Sequence, residues 1–189
     1  MRIPPYHWWR TVFFLIPAIS LYTIVLGTTS ILSSLFDRRG YFAHRCARAW
    51  SYLILRTTGV DVHVEGLDRI VPGTTYIFVS NHQSIYDIPV IFDTLPNQLR
   101  IIAKASLGNF PFLGWHLRLA GHLLVDRDNP GAAIFKKMQR MIGQGASLII
   151  FPEGTRSRDG RVARILLNRP RALNALNLDM IQEDACAAA

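Results

Sequence analysis

A histidine and an aspartate stand five positions apart in the stretch FVSNHQSIYD, directly after a short run of apolar residues. Residues at this spacing do not share one face of a helix, but a turn that leads into a helix can bring them together. If Asp87 accepts a hydrogen bond from one ring nitrogen of His82, the other nitrogen becomes a general base of fixed orientation. The alternative is that the two residues only open a helix that Asn81 caps. The spacing alone leaves both interpretations open.

Two later segments carry groups suited to a charged substrate. In FPEGTRSRDG, Gly154 lets the backbone turn sharply or approach a ligand closely. Thr155 and Arg156 offer a hydroxyl and a guanidinium to a phosphate. The other segment, KASLGNFPFLGWHLRLAGHLLVDRDN, contains a turn at FPFLG and an Asp-Arg pair that ends in Arg127. Both segments include apolar runs, so we expect these groups where strands give way to loops.

Short strands and helices alternate from Val60 onward. The predicted strands are VDVHVEG, TTYIFVS, LRIIAK, GHLLVDR and SLIIFPEGT. The segment PGAAIFKKMQRMIGQG is predicted to be a helix, with Pro130 near its start and Gly145 at its end. Alternation of this kind predicts an α/β fold.

NHQSIYD, the GW…G…VDR stretch and FPEGTRS resemble the first three sequence blocks of the glycerolipid acyltransferases. Within that family the chain is most similar to the 1-acyl-sn-glycerol-3-phosphate (lysophosphatidate) acyltransferases, over roughly residues 10–160. The resemblance implies a mixed sheet flanked by helices, with His82 as general base and Asp87 as the carboxylate that orients it. It assigns the acyl acceptor and its phosphate to Arg127, Glu153, Gly154, Thr155 and Arg156. Lys104 is a candidate for a further phosphate contact, the alternative being a solvated lysine.

The chemistry implied by the resemblance is acyl transfer from a thioester to a lipid hydroxyl. His82 would remove the proton of the sn-2 alcohol of lysophosphatidate as its oxygen attacks the carbonyl carbon, giving phosphatidate. The donor would be acyl-CoA or acyl carrier protein. Because a thioester already has a good leaving group, no cofactor and no covalent enzyme intermediate are required. Ser84 is a nucleophile only in a weaker scheme.

Three alternatives stay open at this point. The acceptor is another lysolipid, such as a lyso-ornithine lipid, in the first. In the second, the chain is an inactive membrane-anchored remnant that only binds anionic lipid. The third is a metal-dependent hydrolase that uses His82, Asp87 and Glu153. It is disfavoured because these residues lack the usual spacing of metal ligands.

The composition suits a protein that works on lipids. Half of the 189 residues are hydrophobic, and the formal net charge is +8. A basic chain favours a polyanionic partner, here membrane lipids or a phosphorylated substrate. Nucleic acid is disfavoured, because the Lys and Arg residues are scattered and form no recognisable binding motif. Cys46 and Cys186 are far apart, which predicts neither a disulfide nor a metal site and fits a reducing compartment.

The segment Thr11–Phe36 holds no charged residue and exceeds the roughly 20 apolar residues that cross a bilayer. Trp8 and Trp9 precede it, as is typical of aromatic residues at the headgroup level. Pro17 and Gly27 leave open a hairpin that dips into one leaflet. A buried core helix is the third interpretation.

A basic amphipathic stretch follows this segment. Its arginines share one helical face: Arg38, Arg45, Arg48 and Arg56. The opposite face holds Phe42, Cys46, Ala49, Trp50 and Leu53. This pattern predicts a helix on an anionic lipid surface, the alternative being a surface helix packed on the domain. Because positive charge is heavier after the apolar segment than before it, we predict a cell-membrane location with the catalytic domain in the cytoplasm.

The chain departs from the family pattern after Gly160. An apolar Val-Pro-type fourth block is absent, and VARILLNRPRALNALNLDMI resembles the start of the enoyl-CoA hydratase/isomerase (crotonase) family. We therefore predict a membrane segment with its basic helix at 1–58, an acyltransferase domain lacking its C-terminal part at 59–160, and a crotonase-like fragment at 161–189. Our hypothesis is that two reading frames are joined near Gly160, the alternative being a divergent natural C-terminus. A sheet without its last strands leaves core uncovered, so we expect poor stability or activity.

Overall fold

A computed structural model describes residues 5–37, 39–126 and 133–152 of the chain. The helices are α1 (Tyr6–Arg10), α2 (Ile16–Ser33), α3 (Tyr41–Thr58), α4 (Asp87–Thr94), α5 (Leu113–Leu119) and α6 (Ala133–Gly143). The strands are β1 (Ile77–Val79), β2 (Leu99–Lys104), β3 (Leu123–Val125) and β4 (Ser147–Ile150). Short 3-10 helices occur at Leu67–Arg69 and Ala105–Asn109.

The four described strands form one sheet in the order β1-β4-β2-β3, and every neighbouring pair is parallel. The α/β prediction is confirmed, whereas the expected mixed sheet is wrong for the described strands. Parallel neighbours require crossover connections, and α4, α5 and α6 lie in those connections. As a result, the carboxyl ends of all four strands meet at one edge of the sheet, which we call the carboxyl edge.

The strand predicted for VDVHVEG is absent, because residues 60–66 pair with none of the described strands. Their side chains alternate in type, yet His63, Val64 and Glu65 are all exposed, so neither face is buried. Alternation fixes a strand only where one face is covered and a neighbour supplies hydrogen bonds. The other four predicted strands are present, and α6 lies within its predicted segment; Pro130 falls outside the described residues.

Helices cover both faces of the sheet, and successive residues of β4 point to opposite sides. One buried cluster lies on the α6 side and contains Leu123, Val125, Met138, Met141 and Leu148. The other lies on the α4 side and contains Phe92, Leu99, Ile101 and Ile149. Leu148 and Ile149 are almost fully buried, so β4 lies at the centre of the core. β1 pairs with this buried strand, which fixes its position.

The N-terminal helix, Tyr6–Ser33, runs through α1, a π-helical turn at Thr11–Leu15 and α2 without interruption. The wide turn directly precedes Pro17, which has no N–H to donate to the preceding turn. Gly27 causes no break, so the hairpin interpretation of this segment is wrong. By length and composition the helix could cross a membrane, and none of its most apolar window is buried. The core-helix interpretation is therefore wrong as well.

Helix α3 packs between α2 and α4. The Arg48 guanidinium donates to the carbonyls of Asp93 and Leu95 at 3.0 and 3.1 Å, which satisfies the end of α4. The Trp50 indole N–H donates to Thr23 Oγ1 at 2.8 Å and ties α3 to α2. The second interpretation of this stretch, a surface helix packed on the domain, therefore describes α3. Arg45 and Arg56 are exposed, and Arg38 lies outside the described residues, so a lipid contact by these side chains stays a prediction.

The first half of β2 has no strand on the β3 side, because β3 pairs only with its last three residues. Two buried imidazoles fill this gap. His44 Nδ1 accepts from the Leu99 N–H at 3.5 Å, and His122 Nδ1 accepts from the Ile101 N–H at 3.1 Å. Both rings must be neutral to accept at Nδ1.

Burial and nearby cations keep these imidazoles neutral. Burial, followed by the charges of Arg100 and Arg48, lowers the pKa of His44 to about 4. Burial first, then Arg100 and the neighbouring histidines, holds the pKa of His122 well below its usual value. Arg100 is itself buried and donates to the Arg39 carbonyl at 2.7 Å, which joins the α2–α3 turn to the sheet.

Candidate active site

His82 lies in the loop that leaves β1 at the carboxyl edge, and Asp87 is the first residue of α4. The turn between them folds back, so His82 Nδ1 lies 2.9 Å from Asp87 Oδ2. Both side chains are 21% exposed, which makes the pair reachable from outside while its surroundings are partly dry. The structure therefore brings together the two residues that the sequence singles out as a base and its orienting carboxylate.

Asp87 Oδ2 also accepts hydrogen bonds from the backbone N–H groups of Gln83 and Ser84, at 2.8 and 2.9 Å. Partial burial by itself raises the pKa of Asp87, but the bonds from Ser84, His82 and Gln83 together outweigh it and lower the pKa. Hydrogen bonds to the charged form of a carboxyl have this effect. Asp87 is consequently ionised at neutral pH.

An ionised Asp87 can only accept, so the proton of a neutral His82 ring resides on Nδ1. Nε2 then carries the free lone pair. The aspartate fixes both the tautomer and the ring orientation, and it stabilises the imidazolium that forms when Nε2 takes up a proton. The pair can act as a general base of defined direction.

Phe151 is a site residue that the sequence reasoning missed. Its ring lies 4.5 Å from the His82 ring, centroid to centroid, at an interplanar angle of 31°. Phe151 follows β4, the strand beside β1, and the Ser80 N–H donates to the Ile150 carbonyl at 3.1 Å. The two loops therefore leave the sheet together. The signal was present in the sequence, since Phe151 opens FPEGTRS, but only the strand order shows that it reaches His82.

Two further residues of this loop shape its backbone. Ser84 Oγ accepts from the Tyr86 N–H at 3.1 Å and so shapes the turn before α4. Asn81 does not cap a helix, because α4 begins at Asp87 with Tyr86 in the capping position. The alternative in which Asn81 caps a helix is therefore wrong, since residues 81–84 form the turn that carries His82 back to Asp87.

Lys104 ends β2 at the same edge and is exposed. β4 lies between β1 and β2, so the ends of those strands are about 10 Å apart at ordinary strand spacing. The structure does not bring Lys104 into contact with the pair. The other candidate residues lie outside the described part of the chain: Arg127, Glu153, Gly154, Thr155 and Arg156. Their roles stay predictions, although the chain enters this segment from Phe151, beside His82.

Among residues 5–37, 39–126 and 133–152, no three His, Cys, Asp or Glu side chains are grouped so that they could hold a metal ion. The His82–Asp87 pair has no further acidic or sulfur ligand close to it in this part of the chain. The described geometry supplies a general base of fixed orientation, His82, beside the ring of Phe151.

A sequence profile of the family described as Acyltransferase matches residues 61–174. The chain belongs to the acyltransferase family. The match includes His82 and Asp87, and it runs past Gly160 into the segment that resembles the crotonase family. That segment lies outside the described residues, so its origin and the proposed domain limits stay predictions.

Named relatives of this acyltransferase chain agree with the family match. The chloroplastic 1-acyl-sn-glycerol-3-phosphate acyltransferase LPAT1 of Arabidopsis thaliana is 32% identical over 143 residues, which are 74% of this chain and 39% of the relative. A 1-acyl-sn-glycerol-3-phosphate acyltransferase of Helicobacter pylori is 33% identical and covers 69% of this chain and 54% of the relative. The chain thus spans less than two thirds of either relative.

A solved structure shows a similar fold. The crystal structure of the 1-acyl-sn-glycerophosphate (LPA) acyltransferase PlsC from Thermotoga maritima matches with a TM-score of 0.59 and 28% sequence identity. The match covers 82% of this chain and 66% of that chain. It agrees with a parallel sheet flanked by helices.

Proposed function

We propose that this acyltransferase moves an acyl group from a thioester to the sn-2 hydroxyl of 1-acyl-sn-glycerol-3-phosphate, giving phosphatidate for phospholipid synthesis. The observation that carries the proposal is the 2.9 Å hydrogen bond between His82 Nδ1 and Asp87 Oδ2, which leaves Nε2 free at the carboxyl edge. The acceptor is supported by the names of the relatives from Arabidopsis thaliana and Helicobacter pylori.

The reaction needs one base and no enzyme-bound intermediate. His82 Nε2 takes the proton of the hydroxyl while the oxygen attacks the thioester carbonyl carbon. The resulting tetrahedral intermediate expels the thiolate, which receives the proton from the imidazolium, so the products are an ester and a thiol. Asp87 offsets the positive charge of the imidazolium during this cycle. A positioned base of this kind contributes about 10²–10⁴ in rate.

The phosphate of the acceptor needs cationic partners. We assign this role to Arg127 and Arg156, because a guanidinium binds phosphate in a fixed two-point geometry. Glu153, Gly154 and Thr155 would shape the acceptor site, and the contact of Phe151 with His82 supports a place for this block near the base. Holding the acceptor by its phosphate turns a two-substrate encounter into a positioned attack.

The donor in this proposal is acyl-CoA or acyl carrier protein, and no cofactor takes part. The enzyme works at the cell membrane with its catalytic domain in the cytoplasm. Both donors are water-soluble, so they can reach the domain from that side. The N-terminal helix supports a membrane location, because its exposed apolar side, with Leu21 and Ile24, would be unfavourable in water.

The deciding experiment incubates the full chain with labelled acyl-CoA or acyl carrier protein and vesicles that contain one acceptor at a time. Lysophosphatidate, lyso-ornithine lipid and a lysophospholipid with a larger headgroup are compared. We expect labelled phosphatidate from the first acceptor, formed about 10²–10⁴-fold more slowly by a His82→Ala variant. Product from another acceptor alone would replace lysophosphatidate in the proposal.

Two further results separate the remaining alternatives. A chain that binds anionic vesicles but acylates no acceptor, with or without His82, would be a noncatalytic remnant. Activity that a chelator abolishes would point to a metal-dependent enzyme. A variant in which residues 161–189 are replaced by a family-like C-terminus shows whether that segment limits the activity.

A further inference from the structure

Four exposed apolar side chains lie within residues 110–115, between β2 and β3, outside both core clusters and apart from the catalytic pair. We call this surface the aromatic ledge. It consists of Phe110 (58% exposed), Phe112 (69%), Leu113 (46%) and Trp115 (52%). The rings of Phe112 and Trp115 contact each other with centroids 5.3 Å apart. A group of exposed large apolar side chains this close in the chain indicates an interaction site.

The backbone holds the ledge in a fixed shape. Phe112 has a φ of 62°, a positive value that a phenylalanine seldom adopts and that the surrounding structure must enforce. Just after it, Gly114 touches the backbone of Gly108 so closely that a side chain would not fit. The start of α5 is therefore pressed against the 3-10 helix at Ala105–Asn109, and the ledge is built on that contact.

The ledge lies at the active-site edge of the sheet. The 3-10 helix that carries it follows β2 directly, at the carboxyl edge from which the His82 loop also leaves. Ile85, in that loop, is 70% exposed. Two loops at the carboxyl edge, which leave the sheet from β1 and β2, thus present apolar side chains outward.

Helix α5, which carries part of the ledge, contacts the apolar N-terminal helix, and the ledge has cationic neighbours. Helix α5 packs against α2, whose Leu21 and Ile24 are largely exposed. Lys104 directly precedes the 3-10 helix, and the Arg118 guanidinium lies beside Gly108. An apolar centre flanked by cations fits the interface of an anionic bilayer. Pairing with a second copy would bring like charges together, which disfavours that occupant.

We propose that the aromatic ledge is a second bilayer contact, which enters the same anionic leaflet as the N-terminal helix and seats the carboxyl edge on the lipid. The inference goes beyond acyl transfer and does not depend on it. A second contact restricts the tilt of the domain, whereas a single helix would leave the domain free to rotate about the helix axis. His82 would then face acceptors that remain in the membrane.

The test uses tryptophan fluorescence in vesicles of equal parts phosphatidylcholine and phosphatidylglycerol. Replacing Trp8, Trp9 and Trp50 by Phe leaves Trp115 as the reporter. Bromine atoms on the acyl chains of the phosphatidylcholine quench only a tryptophan that reaches them. We expect emission from Trp115 to shift to shorter wavelength and to be quenched. Circular dichroism and a thermal melt check the fold, because Trp50→Phe removes the bond to Thr23.

Matched reporters give the comparison. A chain whose only tryptophan is at position 8 reports on the N-terminal helix. A chain with Val71→Trp and no other tryptophan reports on the side of the sheet where the strands begin, opposite the carboxyl edge. Val71 is exposed and precedes β1. Quenching at positions 115 and 8 but not at 71 supports the proposal. Quenching at position 8 without quenching at 115 overturns it, and so does a blue-shifted Trp115 that bromine leaves unquenched, which would show that protein covers the ledge.

An activity measurement adds a second readout. With Phe110→Ser and Trp115→Ser combined, we expect a higher KM for an acceptor in vesicles and an unchanged KM for a short-chain, water-soluble acceptor. Val71→Ser is the matched control and should change neither. Equal impairment with both acceptors would overturn the bilayer role. If no protein acylates any acceptor, the fluorescence result still decides on the ledge, so failure of the proposed function is distinguished from failure of this inference.

Discussion

At the scale of single residues, one carboxylate oxygen organises the site. Asp87 Oδ2 accepts from His82 and from two backbone N–H groups, all within 2.9 Å. The same atom therefore fixes the turn and the imidazole. A comparable pair elsewhere provides a natural control: His63 and Glu65 lie 3.5 Å apart but are 89% and 87% exposed. Water competes for the polar atoms of that exposed pair. Comparing the two pairs therefore separates the effect of the residue types from the effect of burial.

Replacing His82 by alanine should lower kcat for lysophosphatidate acylation by about 10²–10⁴, because the hydroxyl loses its base. The KM for the acceptor should change little. The measurement is initial rates at several acceptor concentrations. His63→Ala should leave kcat unchanged. Equal activity of His82→Ala and the parent would remove His82 from the mechanism.

Replacing Asp87 by asparagine should lower kcat by roughly 10²–10⁴ as well, because an amide N–H can donate to Nδ1 and hold the ring in the wrong tautomer. Loss of charge-assisted bonds from Gln83 and Ser84 should also lower the free energy of unfolding by about 1.5–3 kcal/mol. Rates and thermal melts in detergent measure the two effects. Glu65→Gln is the control, and a parental rate in Asp87→Asn would contradict the orienting role.

At the scale of elements, the crossover between β2 and β3 depends on a contact between two glycines. A Cβ at Gly114 would overlap the Gly108 carbonyl, so Gly114→Ala must displace α5 or the 3-10 helix. We expect the free energy of unfolding to fall by about 1–3 kcal/mol or more. Gly143→Ala, at the end of α6 with nothing within 4 Å of the new Cβ, should be neutral or slightly stabilising. Equal melting of the two variants would contradict the close contact.

The imidazoles that complete the edge of β2 predict a pH-dependent stability. The pKa of His44 is lowered to about 4 in the fold, so the unfolded chain binds a proton that the folded chain refuses. Stability is therefore full above pH ~6.5 and falls by up to about 1.4 kcal/mol per pH unit per histidine as pH drops toward 4. His122, whose pKa is also lowered, acts in the same direction.

Unfolding measured between pH 7.5 and 4.5 checks this slope. His44→Gln keeps an acceptor for the Leu99 N–H but does not titrate, so its stability should fall less steeply with decreasing pH. His63→Gln, which removes an exposed histidine, should keep the parental slope. Identical slopes for all three proteins would show that His44 is not responsible.

At the scale of the whole molecule, the N-terminal helix and the α/β domain form one packed unit, joined by α3 and by the Trp50–Thr23 bond. Leu21 and Ile24 lie on the uncovered side of that helix. Changing both to glutamate should release the protein from vesicles, because a charge in the apolar region of a bilayer costs about 2.5–3.5 kcal/mol. The fold should persist, since neither side chain is buried.

Vesicle flotation followed by circular dichroism measures both expectations. Ala49→Glu, on the exposed side of α3, is the control and should stay bound. A protein with both substitutions that still floats with vesicles would show that another surface suffices for membrane binding. In that case the aromatic ledge, with its separate reporter at Trp115, is the first surface to examine.

The class of fold, the pairing of a histidine with a carboxylate and the resemblance to the family could all be predicted from the order of the residues. These follow from local patterns: apolar runs in LRIIAK and SLIIF, and a turn short enough to fold His82 onto Asp87. The predictions of a strand at VDVHVEG and of a mixed sheet were wrong. The pairing and the direction of a strand depend on neighbouring strands, which a local pattern does not specify.

Contacts between residues that are distant in the chain depend on the packing of the whole domain and could not be predicted. The order β1-β4-β2-β3 puts Phe151 on the His82 ring and leaves Lys104 two strands away. The packing also buries Arg100, in β2, where its guanidinium links the sheet to the α2–α3 turn. Burial is a property of the whole packing, so no spacing in the chain could show that His44 and His122 are neutral hydrogen-bond acceptors or that the aromatic ledge is uncovered.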